Sequence, residues 1–295
     1  MGTAGYYILY GINWVITLLP LRILYLFSDI LFLSLYYFPS YRRKIVAKNL
    51  AKSFPKKSAA EIAQIERKFY RHLADLFIET LKLTHMSNDQ LKKRMTFTNP
   101  RLIEDLYNSG RDVAVVYSHY CNWEWLSTCF PLYTKYRCVG IYKPLQNKML
   151  NKFLNDIRTQ NNGESAPMQL IVRNIIDNRN KNIRSMYGFI TDQTPARTLI
   201  EYYTDFLNQE TPVFLGLEKI AAKYDMSVVF FDIQKVKRGF YSLTAELLFE
   251  STKDLPKYMV TDTHVKRLEE MIIRNPEYWL WTHRRWKYQK EPSND

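Results

Sequence analysis

The chain has 295 residues, of which 46% are apolar and 24% charged, a globular composition that excludes general disorder. Its net charge of +13 favours an anionic partner such as lipid, nucleic acid or an acidic protein. Its aromatic fraction of 15% favours a location at a lipid–water boundary. Cys121, Cys129 and Cys138 lack the close spacing of a disulfide framework or a zinc site and indicate free thiols in a reducing compartment.

The start of the chain carries the clearest regional pattern, because residues 6–38 are almost all apolar. Pro20 and Arg22 divide this stretch into two pieces, each shorter than the roughly 20 apolar residues that cross a bilayer. We therefore expect residues 1–40 to form a bent helical hairpin that anchors in a membrane by partial insertion. A buried core hairpin of a soluble protein is the alternative. The basic residues at 41–44 predict that the following segment lies on the cytoplasmic face.

Residues 41–295 are expected to form the second domain. It begins with a basic helix at 45–54, after which Ser58 and Glu61 match the capping box that opens a longer helix. From about residue 95, short buried strands alternate with helices. The predicted strands cover 94–98, 112–118, 137–142, 184–191, 226–234 and 240–250, and the predicted helices cover 100–108, 122–133, 147–158, 168–178, 211–224 and 257–274.

This alternation predicts an α/β fold with a central mixed, mainly parallel sheet flanked by helices. The basic turn at 235–239 joins the last two predicted strands in an antiparallel hairpin. Reacting groups in open α/β sheets gather at the carboxyl ends of the strands. The loop after the buried strand 112–118 is therefore a candidate site.

That loop contains His119, and Glu124 follows five positions later. A neutral imidazole can take a proton from an alcohol, and a carboxylate can hold its tautomer and stabilise the cation that forms. Side chains five apart on one helix point away from each other, so we expect His119 before the helix and Glu124 in its first turns. The alternative is that His119 only completes the strand end and that Glu124 only favours the helix N-terminus.

The segment His119-Tyr120-Cys121-Asn122-Trp123-Glu124 resembles the H-x4-D/E motif of lipid acyltransferases. In particular, it is similar to that of the bacterial lipid A late acyltransferases, the lauroyl and myristoyl transferase family. The resemblance covers nearly the whole chain. Its further blocks are the Asn-Leu-Ala-Lys-Ser-Phe-Pro run at 49–55, Tyr142-Lys143-Pro144 followed by Asn147, Asp192-Gln193, and Trp-Thr-His-Arg-Arg-Trp-Lys at 281–287.

The resemblance implies roles for individual side chains. His119 would be the general base on the acceptor hydroxyl, and Glu124 would be its orienting partner. The implied substrate-binding residues are Lys143, Asp192, Gln193, Arg284 and Arg285. Lys143 stands where the family usually has arginine and lacks the bidentate fork that grips phosphate. Asp192-Gln193 is equally open to a structural role at the strand end, and Arg284-Arg285 to that of an ordinary basic tail.

By this resemblance, the protein moves a fatty acyl chain from an acyl thioester to a hydroxyl of a lipid A precursor or related membrane lipid. The hydroxyl attacks the thioester directly, so no acyl-enzyme, metal or other cofactor is expected. Acyl-carrier protein is the expected donor, with coenzyme A as the alternative. The expected partners are therefore acyl-carrier protein, a lipid acceptor and a membrane, but no nucleic acid. The expected location is the bacterial inner membrane, with the catalytic domain on its cytoplasmic face.

Other functions stay open on the sequence alone. Within the same chemistry, the acceptor could be a lysophospholipid or an aminolipid. A thioesterase or lipase would use Cys121 or Ser118 as a nucleophile beside His119, although the chain has no G-x-S-x-G elbow. A non-enzymatic, membrane-anchored basic module would bind nucleic acid or anionic lipid, although no nucleic-acid-binding motif is present.

Overall fold

A computed structural model describes residues 3–38, 41–159, 161 and 163–288 of the chain. The helices are α1 (Thr3–Ile16), α2 (Leu21–Tyr37), α3 (Arg43–Ser53), α4 (Ala59–Lys82), α5 (Asn88–Arg94), α6 (Pro100–Asn108), α7 (Trp123–Cys129), α8 (Lys148–Arg158), α9 (Ile171–Asn180), α10 (Gly216–Tyr224) and α11 (Met259–Arg274). The strands are β1 (Met95–Phe97), β2 (Val113–Tyr117), β3 (Arg137–Tyr142), β4 (Glu164–Pro167), β5 (Ser185–Ile190), β6 (Tyr203–Phe206), β7 (Gln209–Pro212), β8 (Ser227–Lys237) and β9 (Phe240–Phe249).

Seven of these strands form one sheet in the order β1-β9-β8-β2-β5-β3-β4. The β8–β9 pair is antiparallel, and all other neighbouring pairs in this sheet are parallel. All five residues of β2 are buried, as expected for a central parallel strand that is covered on both faces. The predicted α/β fold with a mixed, mainly parallel sheet is thus confirmed. Strands β6 and β7 form a separate antiparallel pair.

One predicted helix is wrong in its first part. The sequence predicts a helix at 211–224, but α10 begins at Gly216, and Thr211 lies in β7, paired with β6. A Thr-Pro pair is also typical of a helix start, which explains the error. Between the two strands, Leu207 and Asn208 both have positive φ, 51° and 59°. Two such residues are typical of a tight hairpin turn, and this turn brings β7 back along β6.

The N-terminal segment forms two helices, α1 and α2, separated at Pro20 as the sequence predicts. None of the described helices is long and apolar enough to cross a membrane. Helix α2 has two different faces. Leu24 and Phe32 are buried in the main hydrophobic core, whereas Leu26 and Ile30 are 63% and 64% exposed. Helix α2 therefore contributes to the main hydrophobic core and leaves an apolar face outside.

Helix α4 packs against α2 and begins at the predicted capping box. Ser58 Oγ accepts a hydrogen bond from the Glu61 amide at 3.3 Å, and Glu61 Oε2 accepts one from the Ser58 amide at 2.8 Å. The helix buries apolar side chains, and it also buries the polar side chains of His72, Asp75 and Glu79. Buried polar groups need hydrogen-bond partners, so this helix is fixed by directional contacts as well as by packing.

Candidate functional site

The site is centred on His119, which lies two residues beyond β2. Strand β5 runs parallel to β2, with Tyr117 opposite Ile190, so residues two positions past each strand meet at the carboxyl edge. His119 Nδ1 and Asp192 Oδ1 are 2.8 Å apart. The backbone amide of His119 and Nε1 of Trp279 both donate to Asp192 Oδ2, at 3.0 and 2.8 Å. The sheet thus assembles a histidine–carboxylate pair from two distant segments.

Asp192 is buried, and its surroundings favour the carboxylate form. Burial alone would raise its pKa, but the charge and hydrogen bonds of His119, together with the hydrogen bond from Trp279, hold the pKa below its ordinary value. An ionised carboxylate only accepts hydrogen bonds, so Nδ1 of His119 must carry its proton. In the neutral ring, Nε2 is then left with the lone pair that a general base needs.

A cavity of about 670 Å³ opens beside His119. His119 and Gln193 line it at the carboxyl edge of the sheet, whereas Cys138 and Met186, which lie opposite each other on β3 and β5, line it further along the strands. Its walls are mostly apolar and include Val115, Leu126, Phe130, Val139, Ile141, Ile171, Phe189, Leu217, Ile220 and Phe231. The lining therefore suits an apolar ligand, and the His119 imidazole lies in the wall beside it.

Two glycines line this cavity and leave space for different groups. Gly140 and Gly188 lie opposite each other on β3 and β5, and both line the cavity. A Cβ atom at Gly188 would lie 3.0 Å from Cε1 of Tyr117, tighter than normal packing, whereas a Cβ atom at Gly140 would have only an ordinary contact of 3.7 Å to the Glu164 carbonyl oxygen. Gly188 thus makes room for the Tyr117 ring, and Gly140 leaves room in the cavity itself.

Glu124 lies in the first turn of α7, as expected, but its carboxylate contacts a different partner from the one predicted. Arg158 donates to Oε2 from Nε at 2.9 Å and to Oε1 from Nη2 at 2.5 Å. Nε1 of Trp123 also donates to Oε1, at 3.1 Å. No hydrogen bond in the described part of the chain joins Glu124 to His119. The structure therefore corrects one detail of the sequence analysis, because the group that holds the His119 ring is Asp192.

Trp123 separates the two polar pairs. Its ring meets the His119 ring edge-on, with a centroid distance of 5.1 Å, while its indole nitrogen binds Glu124. Arg158, which the sequence analysis did not identify, lines the cavity. Burial alone would lower the Arg158 pKa, but its contacts with Glu124 raise it above the ordinary value, so the guanidinium stays charged. No local pattern marks this residue, because its partner lies 34 positions away.

Two further residues of the predicted site, Gln193 and Lys143, lie at the cavity. Nε2 of Gln193 lies 3.3 Å from Nε2 of His119, and Gln193 lines the cavity. Lys143 is exposed and also lines it. The position of Lys143 is therefore compatible with substrate contact, and Gln193 reaches the reactive nitrogen.

The two C-terminal arginines lie elsewhere. Arg284 is exposed. Arg285 is only 2% exposed, and its Nη1 donates to the Pro212 carbonyl oxygen at 2.7 Å. Burial lowers the Arg285 pKa to about 10, and its guanidinium packs over the Phe206 ring. Neither arginine lines the cavity, and the contacts of Arg285 tie the C-terminal segment to β7.

The family model described as "Bacterial lipid A biosynthesis acyltransferase" matches residues 1–288. The chain belongs to this family. The resemblance seen in the sequence blocks is thereby confirmed, and the protein is a transferase of an acyltransferase family. A comparison with curated proteins found no match.

The C-terminal block of this acyltransferase family member supports the loop that carries Asp192. Nε2 of His283 accepts a hydrogen bond from the Thr194 amide at 3.0 Å, two residues past Asp192. The side chain of Asn49, from the early sequence block, donates to the carbonyl oxygens of Trp281 and His283 at 2.9 and 3.0 Å. Two blocks that the sequence could only compare with the family are therefore in contact, and both support the site.

The two nucleophiles considered for a thioesterase or lipase are unsuited to that role in the acyltransferase fold. Cys121 is fully buried, and burial raises its pKa well above the ordinary value, which disfavours the thiolate. Ser118 is 2% exposed, and its Oγ has no hydrogen-bond partner among the described residues. A serine nucleophile needs a base within hydrogen-bond reach, and the His119 imidazole makes no hydrogen bond with Ser118 Oγ.

His283→Gln should make the acyltransferase less sensitive to acid. Burial lowers the His283 pKa to about 4, against about 6.5 in an unfolded chain, so the unfolded state binds more protons between these values. His283 therefore contributes stability at neutral pH that is lost as the pH falls from about 6.5 to about 4. Glutamine keeps an acceptor for the Thr194 amide but does not titrate. Urea unfolding at pH 7 and pH 5 should show a smaller loss of unfolding free energy for the variant.

An NMR titration of the His283 ring gives the independent control, with an expected pKa near 4 in the folded protein. An equal acid-induced loss of stability in both proteins, or a folded-state pKa near 6.5, would contradict this assignment.

Proposed function

We propose that this protein transfers a fatty acyl chain from an acyl thioester to a hydroxyl of a lipid A precursor or a related membrane lipid. The observation that carries the proposal is the His119–Asp192 pair at the end of an apolar cavity of about 670 Å³. Family membership supplies the reaction class. The cavity supplies a place for the acyl chain, and the histidine supplies a base where the thioester carbon would lie.

The reaction needs one proton acceptor and no protein nucleophile. Nε2 of His119 takes the proton of the acceptor hydroxyl while the oxygen attacks the thioester carbonyl carbon. Asp192 stabilises the imidazolium that forms. The tetrahedral intermediate then collapses, the carbon–sulfur bond breaks, and the proton on His119 passes to the departing thiolate. The products are an ester and a free thiol, so atoms and protons balance without an acyl-enzyme.

Positive charge at the cavity suits the anionic parts of both substrates. Lys143 and Arg158 line it, and the Lys143 ammonium can attract a phosphate of a lipid acceptor or of a phosphopantetheine arm. Glu124 binds the guanidinium of Arg158 through both carboxylate oxygens. In this proposal Glu124 therefore acts by holding Arg158 at the cavity wall rather than by touching the imidazole.

The proposed acyl donor is acyl-carrier protein. The chain has a net charge of +13, and a strongly basic surface attracts an acidic carrier over distances beyond contact. Coenzyme A, the alternative donor, offers the same thioester. The donor does not alter the chemistry at His119, which acts on the acceptor hydroxyl.

We further propose that the protein works at the cytoplasmic face of a bacterial inner membrane, with α1 and α2 against the lipid. The outer faces of these helices expose an apolar surface made of Ile12, Trp14, Val15, Ile16, Leu18, Ile23, Leu26, Phe27, Ile30, Leu33, Tyr37 and Phe38. Contiguous exposed apolar patches mark interaction surfaces. Arg22 on α2 and Arg42 just before α3 are also exposed, so they can meet anionic headgroups.

His119→Ala should lower acyl transfer by roughly 1,000-fold or more, because the general base is removed. Asp192→Asn should lower it by roughly 100- to 10,000-fold, because the tautomer and the imidazolium lose their carboxylate. The assay combines acyl-carrier donor with lipid A precursor, lysophospholipid or aminolipid, and mass spectrometry identifies the acylated product. Cys121→Ala is the matched control and should stay active. Full transfer by folded His119→Ala protein would refute the mechanism, and loss of activity in Cys121→Ala with an acyl-cysteine in wild type would favour a thioesterase-like route.

Larger side chains at position 140 should shorten the acyl chain that the protein prefers. The series Gly140→Ala, Gly140→Val and Gly140→Leu fills the cavity stepwise, since a Cβ atom there has only ordinary contacts. Each excluded methylene forfeits about 0.8 kcal/mol, so the relative rate for the longest donor should fall roughly fourfold per methylene. Competition between donors of different length, read by mass spectrometry, measures the preference. Turnover of the shortest donor is the internal control, and an unchanged preference across the series would place the acyl chain elsewhere.

Charges on the outer face of α2 should weaken membrane binding. The double variant Leu26→Glu with Ile30→Glu removes two exposed apolar side chains, each worth about 1.5–3 kcal/mol when buried in lipid. Binding to vesicles that contain anionic phospholipid should therefore fall roughly 100- to 10,000-fold in a co-sedimentation assay. Ile273→Glu, at a residue of α11 that is 56% exposed, is the matched control and should bind normally. Equal binding by all three proteins would remove α2 from the membrane contact.

A further inference from the structure

The segment between His119 and α7 is buried and has an unusual backbone. Tyr120, Cys121 and Asn122 are each 0% exposed, and Cys121 has φ of 50°. The left-handed region costs a residue with a side chain roughly 1–2 kcal/mol. Such a conformation persists only when its surroundings over-determine it. Contacts from elsewhere in the fold must therefore hold this loop in place.

Backbone contacts with the C-terminal segment hold the first half of the loop. The Cys121 amide donates to the Tyr278 carbonyl oxygen, and the Leu280 amide donates to the His119 carbonyl oxygen, both at 3.0 Å. Nε2 of His72, on α4, lies 3.2 Å from the Cys121 carbonyl oxygen. These bonds fix the path of the chain near His119, but none of them reaches the start of α7.

Asn122 holds the second half of the loop with both ends of its amide. Its Oδ1 accepts from the Trp125 amide at 2.9 Å and so caps α7. Its Nδ2 donates to Oε2 of Glu79 at 2.7 Å. The indole nitrogen of Trp125 also donates to the Glu79 backbone carbonyl, at 2.8 Å. One residue of α4 therefore contacts α7 at its cap and one turn further along.

Glu79 is a fully buried carboxylate that gathers three elements around it. Besides Asn122, it accepts hydrogen bonds from the hydroxyl groups of Tyr25 on α2, at 2.6 Å to Oε1, and Tyr241 on β9, at 2.7 Å to Oε2. None of the ion pairs in the described part of the chain includes Glu79. The Glu79 carboxylate is buried, has three hydrogen-bond donors and bonds no cation. It therefore fixes the positions of its partners through the directions of these hydrogen bonds and not merely through charge.

We propose that Glu79 is a positioning residue for the acyltransferase site, and that it acts through Asn122 to set the position of α7. That helix carries Trp123, whose ring meets His119, and Glu124, which binds Arg158 at the cavity wall. Glu79 itself does not line the cavity. Loss of the Glu79–Asn122 bond lets the start of α7 shift and changes both contacts together. A displacement of about 1 Å can lower a rate about 100-fold.

The kinetic part of this inference rests on the proposed acyl transfer. Glu79→Met keeps the size of the side chain but removes its acceptors, and Asn122→Ser keeps a helix-capping oxygen but removes the donor to Glu79. Both variants should lower kcat about 10- to 100-fold, with KM changed less than about twofold. The double variant should fall no further than the more severe single variant, because both substitutions break the same bond.

Two matched variants separate positioning from general loss of stability. Glu79→Gln leaves one carbonyl oxygen for Asn122 and should restore most of kcat. Ser28→Ala breaks the buried hydrogen bond from Ser28 to Asp75, 2.8 Å long, between the same two helices, α2 and α4. It should lower the melting temperature but leave kcat unchanged. An equal fall of kcat in Ser28→Ala and Glu79→Met would overturn the proposal.

A readout without substrate makes the test independent of the proposed function. In protein labelled with 5-fluorotryptophan, the ¹⁹F resonance of Trp123 should shift in Glu79→Met and Asn122→Ser, and should stay in place in Glu79→Gln and Ser28→Ala. If Glu79→Met does not fold, the kcat and the Trp123 resonance of Asn122→Ser alone test the positioning role. An unmoved Trp123 resonance and normal kcat in folded Asn122→Ser would refute the positioning role. Absence of acyl transfer by wild type would refute the proposed function, while the ¹⁹F spectra would still decide the positioning.

Discussion

Asp192 accepts three hydrogen bonds at a place that solvent scarcely reaches, two from His119 and one from Trp279. Removing a carboxylate from water is costly unless its oxygens are fully bonded. The carboxylate is therefore stable only where the end of β5, the end of β2 and the C-terminal segment meet. Along the chain, Asp192 lies 73 residues from His119 and 87 residues from Trp279. The base of the proposed reaction is thus available only in the complete fold, and His283, which binds the Thr194 amide, stabilises the same junction.

The site uses its carboxylates for different purposes, and their partners decide which. Asp192 bonds to an imidazole and an indole, so it orients a group that can change its protonation. Glu124 bonds to Arg158, whose guanidinium stays charged, so the two side chains form an ion pair that fixes the guanidinium at the cavity wall. Glu79 bonds only to neutral donors of three elements, which suits a purely geometric role. Asp192 and Glu124 have different roles for a chemical reason. A carboxylate bound by arginine is a poor partner for a histidine that must gain and lose a proton.

Local patterns in the sequence predict most of the sheet but only part of the site. The buried run at 112–118 and the basic turn at 235–239 lead to β2 and to the β8–β9 hairpin, because burial and turn chemistry are local. Glu124 appears five residues from His119 and suggests a direct pair, yet the fold places Asp192 on the ring. Parallel pairing of β2 with β5 decides that contact, and the spacing of residues does not record which strands become neighbours. Arg158 and Glu79 escape notice for the same reason.

The resemblance implies an arginine where this chain has Lys143, and this difference has a consequence for the proposed acceptor. Lysine offers a mobile point charge, whereas arginine offers a planar fork that fixes the orientation of a phosphate. Arg158 does not restore that fork, because two of its nitrogens are already bonded to Glu124. In the proposed reaction, phosphate attraction at this cavity therefore depends on charge more than on directed bidentate contacts. We infer that selection of the proposed acceptor rests mainly on groups with fixed direction near the imidazole, such as Gln193, whose Nε2 lies 3.3 Å from Nε2 of His119.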